Sequence, residues 1–139
     1  MRILLEAHAA ESALPYIRDT DISNLESIDS SIDEAVQRGD IEATSLRNQD
    51  FHRSLYSANP FQVVVPLIES VWLQLGPFSR IAISKLGKIY IVDRHLEAIE
   101  ALKQQNSFAL RRAIEADIRD GIASIKTVEG IHNYFKGVA

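Results

Sequence analysis

Along this chain the apolar residues recur every three or four positions, which is the spacing of a helix face rather than the alternation of a strand. Leu5, Ala9 and Ala13 share one face, as do Ile22, Leu25, Ile28, Ile32 and Val36. Leu110, Ile114, Gly121, Ile125 and Val128 line one side of the last segment. Breaks fall between these stripes. Pro15 and the run Arg18-Asp19-Thr20-Asp21 end the first segment and offer N-caps to the second. Arg38-Gly39-Asp40 ends the second, since glycine suits the left-handed residue past a helix and aspartate suits the next cap. Asn59-Pro60 ends the third, because the residue before proline is pushed out of the helical region. Gly76-Pro77 and Gly87 bracket an irregular stretch, and Asn106-Ser107 can cap a last long helix. The spacing predicts six helices, at about 2–14, 21–38, 41–57, 61–84 with a disturbance near Pro77, 90–104 and 107–129. Val63-Val64-Val65 and Ile89-Tyr90-Ile91-Val92 have strand propensity, but a lone pair of short strands does not stand in water, so they are read as buried helix or connector. The expected class is all-α, an antiparallel bundle with short connections.

Composition narrows the picture without changing it. The 139 residues, 46% hydrophobic and 24% charged, suit one domain over 1–139 with one core. Net charge is −4, the wrong sign for a chain that grips phosphates by itself. With no cysteine, disulfides, thiolate-held zinc, iron–sulfur clusters and thiol catalysis are excluded. Met1-Arg2-Ile3-Leu4-Leu5-Glu6 places a carboxylate where a signal peptide needs its apolar run, so a cytoplasmic location is expected. The longest uncharged stretch, Ser54 to Ile68, contains Pro60, Pro66 and several polar residues, and no membrane span is expected.

Four polar residues break the apolar faces. A helix turns about 100° per residue, so each side chain can be placed around its axis. With Asn48 at zero, Ile41 falls at about 20°, Leu55 at about 340° and His52 at about 40°, so Asn48 and His52 lie on the apolar face one turn apart. Asp50 falls at about 200°, among Arg47, Gln49, Arg53 and Ser54, and belongs to the solvent face. His95 shares its face with Ile91, Ala98, Ile99 and Leu102, and Asp117 is centred on the stripe of Leu110, Ala113, Ile114 and Gly121. A buried carboxylate needs a cation or strong donors opposite it. Two imidazoles, a carboxylate and an amide oxygen suit Zn²⁺, Ni²⁺, Mn²⁺ or Fe²⁺ in the interior of a bundle. The same four groups also make a metal-free polar network, and the spacing leaves both readings open. His8, beside the first apolar strip, and His132, in the tail, are expected to play no special part.

Asn48-Gln49-Asp50-Phe51-His52-Arg53-Ser54-Leu55-Tyr56, followed by Ser57-Ala58-Asn59-Pro60, resembles the third-helix motif of a known family. That family is the effector-binding C-terminal domain (FCD domain) of the FadR subfamily of GntR-type bacterial transcription regulators. His95-Leu96-Glu97-Ala98-Ile99-Glu100-Ala101-Leu102 is similar to its His-x-x-Ile-x-x-Ala-Leu run, and Arg2-x-x-Leu5-Glu6-x-x-Ala9-Ala10 is similar to its opening motif. The resemblance is collinear from Arg2 to about Val128. It implies a metal set at Asn48, His52, His95 and Asp117. Asn48 stands where an aspartate is usual and Asp117 where a histidine is usual, which would shift preference toward Mn²⁺ or Fe²⁺.

The resemblance further implies a homodimer that senses a small carboxylate or sugar acid. DNA would be contacted only through an N-terminal winged helix-turn-helix domain absent from this chain, and an expressed fragment is the favoured explanation. Arg80 is a candidate anchor for the effector's carboxylate, with Trp72 and Phe78 as candidate walls. The expected function is therefore an effector-sensing and dimerisation domain rather than an enzyme. A small metal-dependent enzyme with a two-His-one-carboxylate centre is the alternative, although no separate general base lies on the inward faces. A purely structural dimeric bundle is the third possibility.

Overall fold

The computed structural model describes the backbone of residues 1–86 and 94–126, and side chains over 1–76 and 94–121. It contains, among these residues, six α-helices and no strand: α1 (Arg2–Ala13), α2 (Asp19–Arg38), α3 (Ile41–Tyr56), α4 (Val65–Leu86), α5 (Arg94–Lys103) and α6 (Ser107–Lys126). A single 3₁₀ turn, Leu14–Tyr16, carries Pro15 out of α1. The fold is the expected all-α bundle.

The connections are short and locally determined. Gly39 closes α2 at φ +69°, and its N–H bonds back to the carbonyls of Ala35 and Val36. Asp40 then caps α3, its Oδ1 accepting from the Ala43 N–H at 3.0 Å. Asn106 does the same for α6, accepting from the Ala109 N–H at 3.0 Å. At the start of α2 the expected capping is inverted. The helix begins at Asp19, and Asp21 in its first turn reaches back to accept from the Arg18 N–H at 2.9 Å.

Two expectations for the fourth helix are corrected. It begins at Val65 rather than near residue 61, because the segment after α3 is fastened to other elements. Asn59 Oδ1 accepts from the Phe61 N–H while its Nδ2 donates to the Ser12 carbonyl, and Gln62 Nε2 donates to the carbonyls of Ala9 and Tyr56. Pro66 then occupies the first turn, where a missing N–H is harmless. The irregular stretch expected from Gly76-Pro77 onward is instead helical, and α4 runs through to Leu86. Pro77 removes the bond to the carbonyl of Leu73, a residue on the exposed side of the helix. Gly87, the 89–92 run, the expected helix start at 90, the end of the last helix beyond 126, and His132 lie outside the described residues.

The core lies where α1, α3, α5 and α6 face one another, with α4 closing one side and α2 spanning α3 and α5. Ala9, Ala10 and Ala13 give α1 a smooth buried stripe against α6. Phe51, Leu55 and Tyr56 of α3, Ile99 and Leu102 of α5, and Leu110, Ile114 and Ile118 of α6 fill the interior. Ion pairs border it, with Arg111 joining Glu11 across α6 and α1 at 2.7 Å and Lys103 joining Glu26 across α5 and α2 at 2.6 Å. Such exposed pairs fix register more than they stabilise.

Candidate metal and effector site

α3, α5 and α6 each bring one polar side chain to the same point in this apolar interior. His52 lies near the end of α3, His95 in the first turn of α5 and Asp117 midway along α6, with 1%, 7% and 7% of their surfaces exposed. One donor atom from each falls within a group whose members are all within 4.8 Å of one another. His52 Nε2 is 3.1 Å from Asp117 Oδ2, and His95 Nε2 is 3.8 Å from Asp117 Oδ1. Donor atoms sharing one ion, at bonds of about 2.1 Å, stand roughly 3–3.5 Å apart. His52 Nε2 is buried and, among the described residues, makes no hydrogen bond of acceptable geometry despite the nearby carboxylate. That donor set fits a divalent transition metal: these three residues can hold one.

The rings are held tightly. Phe51 stacks on His95 with centroids 4.1 Å apart and 19° between planes, and the two imidazoles meet edge to face at 5.2 Å. His95 Nδ1 lies 3.1 Å from Oδ1 of Asp29, a carboxylate of α2. His52 Nδ1 lies 3.0 Å from the Tyr56 hydroxyl, one turn on along α3. Tyr56 in turn donates to Glu6 Oε2 at 2.9 Å. Glu6 is a fully buried carboxylate of α1 that also accepts from Arg2 Nε at 2.6 Å and Trp72 Nε1 at 3.1 Å. Burial first, and the Glu6 charge second, push the Tyr56 hydroxyl well above its ordinary range. Tyr56 is thus a neutral hydrogen-bonding link.

The other candidates separate cleanly. Asn48 is half-buried on α3, one turn before His52. Trp72 is 6% exposed and its ring is edge-on to His52 at 6.4 Å. Its N–H is committed to Glu6, so it can wall the site but not donate into it. Asp50 faces away, paired with Arg47 at 3.1 Å and Arg53 at 3.3 Å, as its place on the wheel predicts. His8 is exposed. The side chains of Arg80 and Phe78 lie outside the described residues.

Sequence reasoning missed Glu6 and Asp29, although the signal was present. With Ala9 at zero, Glu6 falls at about 60°, between Ala13 and Ala10 on the buried stripe. With Leu25 at zero, Asp29 falls at about 40°, between Val36 and Ile22. Each is a carboxylate on an apolar face, the same anomaly that marks Asp117.

The described residues thus form an all-α bundle with polar groups converging in its core. Residues 1–120 match the FCD domain family, and the chain belongs to it. It is accordingly a regulatory effector-binding domain rather than an enzyme. Its fold is similar to that of E. coli McbR/YncC, with a TM-score of 0.79 at 19% sequence identity, over 90% of this chain and 64% of that one. The chain thus spans about two thirds of that structure's length. No curated protein matches it. No helix among the described residues is long and apolar enough to cross a membrane.

Proposed function

We propose that this chain is the effector-sensing and dimerisation domain of a cytoplasmic regulator of the FadR subfamily, binding a small organic acid at a divalent metal. The observation that carries this reading is the convergence of His52, His95 and Asp117, buried and with donor atoms within 4.8 Å of one another. Asn48, one turn before His52, is the fourth donor. When bound, the ion supplies positive charge and open coordination positions to an anionic effector. The protein's own groups do the rest: Phe51 and Trp72 pack the imidazoles, Asp29 and Tyr56 hold them, and the apolar surround excludes water. Arg80 is the proposed anchor for the effector. With one carboxylate and a neutral amide in the set, Mn²⁺ or Fe²⁺ is favoured over Zn²⁺ or Ni²⁺. The domain acts as one of two homodimer partners, and DNA contact belongs to a winged helix-turn-helix domain outside residues 1–139.

Elemental mass spectrometry before and after chelation, with thermal shifts on adding Mn²⁺, Ni²⁺ or Zn²⁺, tests the reading. Near-stoichiometric metal, lost in His52→Ala and in His95→Ala, is expected. Metal content and thermal stability unchanged in both variants would overturn it.

A further inference from the structure

Directional hydrogen bonds run from the first turn of α1 to the candidate site, and they fix His52 Nδ1 as a donor. Glu6 is paired with the Arg2 guanidinium at 2.6 Å, and a carboxylate so paired accepts hydrogen bonds only. Tyr56 has one proton to give, and at 2.9 Å from Glu6 Oε2 it must give it there. With the reverse orientation two oxygen lone pairs would face each other in a buried pocket. The Tyr56 oxygen is therefore left with lone pairs, and His52 Nδ1, 3.0 Å away, must be the donor.

From this we infer that Glu6, acting through Tyr56, is a positioning residue that keeps the proton of His52 on Nδ1 and turns Nε2 toward Asp117 as the ligand atom. This rests on the metal-site reading for its purpose, though not for its geometry. The arrangement parallels the other imidazole, where Asp29 faces His95 Nδ1 directly. Metal-binding histidines are held in this way by an acceptor on the far ring nitrogen. Here the acceptor's orientation is set one step further out, by a residue of another helix. Trp72 and Arg2 both bind Glu6 Oε1, which leaves Oε2 to Tyr56 and keeps the carboxylate from rotating.

The test is a ¹⁵N-labelled chain, studied metal-free by long-range proton–nitrogen correlation of the histidine rings, with Mn²⁺ affinity measured separately by chelator competition. In the unmodified chain His52 Nδ1 should give the signal of a protonated nitrogen. Tyr56→Phe leaves the Arg2–Glu6–Trp72 contacts in place and removes the acceptor. The His52 proton should then redistribute toward Nε2, and Mn²⁺ should bind roughly 10- to 100-fold more weakly. Glu6→Gln keeps the shape but makes the direction of the Tyr56 hydroxyl optional, so a mixed tautomer population is expected. A lone-pair signal at Nδ1 of the unmodified chain would overturn the inference, and so would a tautomer and Mn²⁺ affinity unmoved by Tyr56→Phe. A protonated Nδ1 that Tyr56→Phe displaces, in a chain that binds no metal, would support the positioning role and overturn the metal reading instead.

Discussion

Glu6 and Asp117 are both carboxylates on apolar helix faces, and the fold surrounds them differently. Glu6 meets a fixed cation, Arg2, and two neutral donors, Tyr56 and Trp72, drawn from α3 and α4. Asp117 meets two imidazoles, whose charge depends on what they hold. A carboxylate with a permanent partner is a clasp. One facing groups of variable charge is suited to exchange. The two regions are joined through Tyr56 and His52, so the rigid one can hold the exchangeable one in shape.

The largest effect should come from opening the clasp. Glu6→Ala leaves Arg2, the Tyr56 hydroxyl and the Trp72 N–H without their acceptor and should destabilise the chain by about 3–5 kcal/mol, with or without metal. Denaturant unfolding in both conditions measures it, and an equal, small loss in both would show that Glu6 is no clasp. Asp117→Ala should act on the other side of the comparison. It should abolish the metal-induced stabilisation, about 2.7 kcal/mol when free metal exceeds Kd 100-fold. A melting rise that survived this substitution would place the ion elsewhere.

Asp29→Asn, which weakens the acceptor on His95, should reduce metal affinity about 10- to 100-fold by chelator competition, with a smaller effect on metal-free stability than Glu6→Ala. The clasp also has an alkaline limit. The folded state holds the Tyr56 proton more tightly than the unfolded chain does, so its contribution is complete below about pH 10 and fades above it. Denaturant unfolding should show stability falling as pH rises above about 10, and Tyr56→Phe should remove that part of the pH dependence. Smallest of all, Asp50→Ala should change stability by less than about 0.5 kcal/mol and leave metal content unchanged, since its partners Arg47 and Arg53 are surface groups. Loss of metal here would reverse the assignment of faces on α3.

Most of the bundle was legible from spacing because each stripe is continuous and each break is chemically marked, as at Gly39-Asp40 and Asn106. What spacing could not supply was the reach of one element to another. The side-chain amide of Gln62, bound to carbonyls of α1 and α3, delays the start of α4, and nothing local to residues 61–64 announces it. Pro77 reads as a break in sequence, but whether a proline ends a helix depends on where the carbonyl four residues back is facing. His52, His95 and Asp117 could be picked out because each is an evident misfit on its own helix and the fold brings the three together. Glu6 and Asp29 are equal misfits. They escaped because a single carboxylate in a charged, amphipathic segment looks like a surface group until its angle is computed against the buried positions.

Trp72 has a consequence of another kind. It is the single tryptophan of the chain, its indole N–H is bound to Glu6, its ring meets His52 edge-on, and the Arg53 guanidinium lies over it at 5.9 Å. The domain therefore has a built-in optical probe with an unambiguous address. Its emission comes from one chromophore, in contact with both the clasp and the exchangeable site, so events at either can be followed by light in the unlabelled protein.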